Sequence, residues 1–126
     1  MNIYLASKYS RMEELRSYRA ELQALGHTVT SRWLDGNHEA SDESDPTNAD
    51  LVRWALEDIE DIHASDLLIC FTGGEKSTGR NIEFGFMLAS NALGAVMIVG
   101  PRESVFHHLP KVGHCDTWAE ALETLK

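Results

Sequence analysis

The sequence predicts an α/β fold: one doubly wound parallel sheet of about five strands, with helices on both faces, in a single domain spanning residues 1–126. Three observations predict it. Short apolar runs alternate with stretches of helical period along the whole chain, as in repeated strand–helix units. Two of those runs, Asp66-Leu67-Leu68-Ile69-Cys70-Phe71 and Ala95-Val96-Met97-Ile98-Val99, are nearly unbroken, as in strands covered on both faces. A chain of 126 residues, 43% hydrophobic and 25% charged, is ordinary for one globular domain, which excludes disorder, collagen-like repeats and a coiled coil as descriptions of the whole.

The elements follow in chain order. Ile3-Tyr4-Leu5-Ala6 is the first strand. A helix runs from about Arg11 to Leu25, with Met12, Leu15, Tyr18 (or Arg19) and Leu22 on one stripe. Ser10 is its expected N-cap, Glu13 the capping-box partner and Gly26 the stop. His27–Leu34 is the second strand. Asp35–Asn48 is acidic and contains Gly and Pro, so it is a loop, and its length suits a lid as well as a solvated connection. Ala49–Ala64 is helical, 66–71 is the third strand, and Thr72–Thr78 is a Gly-containing loop. Asn81–Asn91 is an apolar helix. Ala95–Val99 is a strand ended by Gly100-Pro101, a short helical segment lies around Ser104–Leu109, and Trp118–Leu125 is a closing helix.

Eleven Lys and Arg against twenty Asp and Glu leave a net charge of −9, the wrong field for a nucleic acid polymer but no obstacle to one small anion at a local site. No run reaches the roughly 20 apolar residues of a membrane span, and the N-terminus lacks a signal-peptide pattern. Cys70 and Cys115 make no disulfide framework, and Cys70 is expected as a buried thiol. A reducing cytoplasm is the simplest compartment.

Open α/β sheets bind ligands at the carboxyl ends of their strands. That rule selects Ala6–Tyr9, Trp33–Asp35, Thr72–Arg80 and Gly100–Ser104. In the third of these, Ser77-Thr78-Gly79-Arg80-Asn81-Ile82-Glu83 runs from loop into helix, where amide donors favour an anion. Glu83 is a carboxylate among Ile82, Phe84, Phe86 and Met87, and serves either the helix dipole or catalysis. Asp58 lies on the stripe of Leu51, Trp54, Ala55 and Ile62, pointing inward or along its edge. Apolar surroundings would raise its pKa and suit a proton donor; an edge position leaves it in water. Asp61 lies on another side and is expected in solvent. Tyr4, on a central strand, needs an internal partner for its hydroxyl; the Glu83 carboxylate is one, and plain core packing is the alternative. Trp33 either stacks on a base or closes the sheet edge. No P-loop, dinucleotide fingerprint or nucleophile elbow is present. His107, His108, His114 and Cys115 match no zinc spacing and are expected at the surface near a subunit contact.

Ile3-Tyr4, the run Asp58–Ile69 and the segment Ser77–Ala89, in that order, resemble the nucleoside 2-deoxyribosyltransferase family over most of the chain. The resemblance implies a flavodoxin- or Rossmann-like sheet and N-glycosidic bond chemistry. Glu83 aligns with the family's nucleophile, Tyr4 with the tyrosine that orients it, and Asp58 with the carboxylate that contacts the base and protonates the leaving nitrogen. Ser77 stands where transferases of free nucleosides commonly have Asp, and matches the Ser of the related 2′-deoxynucleoside 5′-monophosphate N-hydrolases, where it helps bind phosphate. With Gly79 close by, Ser7, Lys8, Arg11 and Arg80 add donors for the same anion, so a 5′-monophosphate is the favoured substrate; Arg80 has a plainer alternative as a helix-surface cation. In the family a neighbouring subunit completes the 5′ end of the site from the segment after strand four. Here that segment is Gly100–His108, with Ser104 or His107 as candidates, and a homodimer or larger homo-oligomer is implied. The chemistry needs no metal and no organic cofactor. Transfer of the sugar to another nucleobase and hydrolysis stay open. The competing reading is a non-catalytic nucleotide-binding or sensing module on the same scaffold, which would have no use for Tyr4, Asp58 and Glu83 together.

Overall fold

A computed structural model describes residues 1–36, 46–90 and 95–126. Five parallel strands form one sheet in the order β2-β1-β3-β4-β5: β1 Asn2–Ala6, β2 Thr28–Val29, β3 Leu67–Phe71, β4 Ala95–Val99 and β5 Val112–Cys115. Four α-helices connect or close them: α1 Met12–Ala24, α2 Asn48–His63, α3 Thr78–Ser90 and α4 Trp118–Thr124. The α/β fold expected from the sequence is therefore the fold observed. The strand order reverses between β1 and β3, and a sheet wound this way opens a crevice beyond the carboxyl ends of those two strands.

The apolar runs fill the sheet. Ile3, Leu5, Leu68, Ile69, Cys70 and Ile98 have no exposed surface, and burial of side chains of this size is worth about 1.5–3 kcal/mol each. On one face, Leu15 and Leu22 of α1 are buried, and Tyr18 stacks on Trp118 of α4 with ring centroids 4.5 Å apart. Helices α2 and α3 pack together on the other face. Gly26 ends α1 at φ +93°, with the Gly26 and His27 amides donating back to Gln23 O and Leu22 O.

Several elements differ from the sequence reading. The expected strand over His27–Leu34 pairs only through Thr28–Val29, and Arg32–Asp35 forms a 3₁₀ turn. The Ser31 hydroxyl replaces a strand partner: the Leu5 amide donates to Ser31 Oγ at 2.7 Å, and Trp33 Nε1 donates to Leu5 O at 2.9 Å. Ser10 is not a cap. A 3₁₀ turn over Tyr9–Arg11 leads into α1, whose N-cap is Arg11 with no side-chain cap bond. Helix α2 is capped instead by a reciprocal box between Thr47 and Asp50. Helix α3 begins at Thr78, three residues before the expected start. Strand β5 was not anticipated as an element. Residues 37–45 of the expected acidic loop, and Asn91 of the expected helix, lie outside the described residues.

Candidate active site

Helix α3 aims its first turn at the crevice because Ser77 holds it: the Arg80 amide donates to Ser77 Oγ at 3.2 Å and the Asn81 amide to Ser77 O at 3.2 Å. Glu83 is thereby placed in the second turn, beyond the first-turn positions where a carboxylate serves the helix dipole best, and no acidic residue occupies that first turn.

Two hollows that share Asp58, Gly79 and Glu83 form one cleft. The apolar lobe, about 220 Å³, is walled by Ala55, Ile59, Ile62, Ile82 and Phe86 from α2 and α3. The polar lobe, about 150 Å³, is walled by Ser7, Tyr9, Trp33, Ser77 and Arg80. A larger hollow, about 660 Å³, lies on the far side of α3 and has no carboxylate in its lining.

Tyr4 is wholly buried on β1 beneath this cleft. Burial, together with the negative charges of Glu83 and Asp58, holds its phenol in the neutral form, well above the usual tyrosine pKa. Burial pushes the Glu83 carboxyl up to about 8; the Tyr4 phenol pulls it back down, and the charge on Asp58 pushes it further up. The phenol and carboxyl interact without reaching full hydrogen-bond geometry, since Tyr4 Oη and Glu83 Oε2 are both buried with no standard partner. Tyr4, Asp58 and Glu83 thus act on one another electrostatically around one cleft.

Asp58 sits half-buried at the edge of the α2 stripe. Most of that stripe is less buried than its period suggests: Ile62 is 1% exposed, whereas Leu51 is 49% exposed. Asp61, expected in solvent, is buried. The Arg32 guanidinium and backbone amide both donate to it, at 2.8 and 2.9 Å, because the 3₁₀ turn after β2 brings Arg32 across α2. Burial raises the Asp61 pKa against those hydrogen bonds.

The expected anion donors divide. Ser7, Ser77, Gly79 and Arg80 line the polar lobe, as does Trp33, a residue 5% exposed whose indole is anchored to β1. Lys8 and Arg11 line a separate hollow with Gly73, Gly74 and Glu75. Lys8 forms an ion pair with Glu75. Arg11 donates to both carboxylate oxygens of Glu14, at 2.9 and 2.8 Å, and to Thr72 O at 3.0 Å. Arg80 is no surface cation: its side chain is 2% exposed. It donates to Phe71 O at 3.1 Å, to Glu103 Oε1 at 3.0 Å and to Asn81 Oδ1.

Among the histidines, His107 is buried rather than superficial. It accepts from the Glu103 amide at 3.0 Å and packs edge-on against Phe84. His114 Nε2 lies 2.7 Å from Gly100 O. Among the described residues no group of three or more His, Cys, Asp or Glu is placed to hold a metal ion, and no helix is long and apolar enough to cross a membrane. Tyr9 and Glu103 were missed by the sequence reading. Both stand at selected strand ends, Tyr9 after β1 and Glu103 after β4, and were readable that far; the pairing of Glu103 with Arg80, 23 residues away, leaves no local signal.

No family model matches the sequence, and no curated protein matches it. Solved structures share its fold from end to end. A 2-deoxyribosyltransferase from Bacillus psychrosaccharolyticus superposes with a TM-score of 0.74 at 21% identity, over 99% of this chain and 96% of that one. A CMP N-glycosidase from Clostridium botulinum gives a TM-score of 0.63 at 20% identity, over 99% and 98%. At these identities the likeness establishes the architecture.

Proposed function

We propose that the chain is an enzyme that cleaves the N-glycosidic bond of 2′-deoxynucleosides or their 5′-monophosphates, and that it belongs with the nucleoside 2-deoxyribosyltransferases its motifs resemble. One observation carries this reading: a phenol and two carboxyls, Tyr4, Asp58 and Glu83, interact around a cleft at the switch point of the sheet. A non-catalytic binding module would have no use for Tyr4, Asp58 and Glu83 together. The two structural neighbours are a deoxyribosyltransferase and an N-glycosidase, and both names denote chemistry at the bond between sugar and base.

In the proposed reaction a Glu83 carboxylate oxygen attacks C1′. The C1′–O bond forms as the C1′–N bond breaks, and the electron pair leaves with the base nitrogen, which takes its proton from Asp58. The glycosyl ester is then attacked at C1′ by water or a second base, and Glu83 leaves as carboxylate. Nucleophile and acid require one proton between them. Burial first, and the charge of Asp58 after it, hold the Glu83 proton up to a pH of about 8, so attack requires that proton to leave Glu83. Tyr4 favours the attacking form by stabilising the Glu83 anion. Ser7, Ser77 and the start of α3 are proposed to meet the 5′ end of the sugar, and Trp33 the base. The chain is further proposed to self-associate: α2 exposes Leu51, Val52 and Leu56 at 49, 58 and 61%.

Incubation with a panel of nucleosides and 5′-monophosphates, ribo and deoxy, with and without an acceptor base, followed by chromatography for free base, tests the reading. Base release is expected from wild type and a loss of at least about a thousandfold from Glu83→Gln. Equal release from both proteins removes Glu83 from the mechanism.

A further inference from the structure

Arg80 is a cation that lines the polar lobe, yet it presents almost no surface to it. The reason is Glu103. Strand β4 ends at Val99, and Gly100, with a φ of +115°, turns the chain back across the end of β3. The turn is clamped there: Thr72 Oγ1 donates to Pro101 O at 2.6 Å, and the Gly100 amide donates to Cys115 O at 2.9 Å. The next residues bring Glu103 over α3, where its carboxylate accepts from Arg80 Nη2 at 3.0 Å. The Glu103 amide is itself tied to His107 Nδ1, and the His107 ring is seated on Phe84 of α3. Backbone and side chain of Glu103 are therefore both held. The guanidinium is engaged from three sides: Phe71 O, Asn81 Oδ1 and Glu103 Oε1 take four of its five N–H groups.

We propose that Glu103 is a specificity-determining residue of the cleft: by occupying the guanidinium of Arg80 it denies that cation to a substrate and selects a neutral group over a phosphate at the polar end. The inference rests on the function proposed above and sharpens it. The same pattern recurs in the neighbouring hollow. Lys8 is paired with Glu75 and Arg11 with Glu14, so each cation first expected to meet an anion already carries a carboxylate. The two carboxyls inside the cleft, Asp58 and Glu83, add no welcome for a dianion, nor does a net charge of −9. A phosphate would have to displace Glu103 from a guanidinium that is out of water, where a charge-assisted bond is hardest to exchange. Glu103 acts through Arg80 and touches no reacting atom, so its effect falls on discrimination between substrates and leaves the chemical step alone.

The test compares the full chain with Glu103→Gln, which keeps the size and an acceptor oxygen but removes the charge, and with Glu103→Asp as a charge-retaining control. Thermal melts establish that each variant is folded. Release of base is measured from deoxynucleosides and from their 5′-monophosphates, and binding of the same compounds is measured by calorimetry, which needs no turnover. Wild type is expected to favour the unphosphorylated member of each pair by at least about tenfold in kcat/KM and in affinity. Glu103→Gln is expected to narrow that preference by about tenfold through the KM of the monophosphate, with kcat for the nucleoside within about twofold of wild type and Glu103→Asp close to wild type. A preference for the monophosphate in wild type, or a ratio unmoved in Glu103→Gln, overturns the proposal while leaving base release intact. Shifted binding ratios without base release would support the role of Glu103 and reject the proposed reaction. Absence of binding by either class of compound would reject both.

Discussion

At the scale of single residues the account turns on where a proton sits. Glu83 takes its pKa of about 8 from burial first, with Tyr4 opposing and Asp58 reinforcing. Removing the phenol as Tyr4→Phe takes away a stabiliser of the anion, so the Glu83 titration, followed by carbon NMR of the labelled carboxyl, is expected to move up. Removing the neighbouring charge as Asp58→Asn is expected to move it down. The shift also bears on stability. The folded protein holds the Glu83 proton more tightly than the unfolded chain, whose carboxyl has a pKa near 4.5. Between 4.5 and about 8 the folded state therefore carries more protons, and stability falls as pH rises through that window. Melts across that range are expected to show this loss in wild type and a flatter profile in Glu83→Gln, which should melt higher than wild type by several degrees above pH 7. A profile unchanged by the substitution would remove Glu83 as its source.

At the scale of elements, the chain end of β2 offers the sharpest test. Ser31→Ala leaves the buried Leu5 amide without its 2.7 Å partner, and is expected to cost about 1–3 kcal/mol in denaturant unfolding. Gly100→Ala at the β4 exit would place a methyl 2.6 Å from Thr72 Oγ1 at a positive φ, and is expected to cost about 1–3 kcal/mol from the backbone alone. These two places also show what the sequence could and could not reveal. Strands β1, β3 and β4 were legible because unbroken apolar runs have few other destinations. Strand β5, Val-Gly-His-Cys, has no such run, and β2 looked longer than it is because a serine hydroxyl can stand in for a ladder partner. The placement of Glu83 and Tyr4 around one cleft was legible through the motifs and through the cost of burying their polar groups. The burial of Asp61 and Arg80 was not, because each depends on a partner, Arg32 or Glu103, brought from a distant element.

At the scale of the whole molecule, parallel strands in the order β2-β1-β3-β4-β5 put one crevice where β1 and β3 diverge, and the side chains of interest converge there from β1, α2 and α3. The exposed apolar face of α2 belongs to this scale too. Light scattering coupled to gel filtration is expected to give a dimer or larger species, reduced to monomer by Val52→Asp with Leu56→Asp; a monomeric wild type would contradict the proposed self-association. The most direct test of the central claim is to trap the reaction. The protein is incubated with the deoxynucleoside and deoxynucleotide panel, quenched in acid, digested and mapped by mass spectrometry. The account predicts a deoxyribosyl adduct on the peptide that contains Glu83, absent from Glu83→Gln. Base release with no adduct, or with an adduct on any other residue, would contradict it.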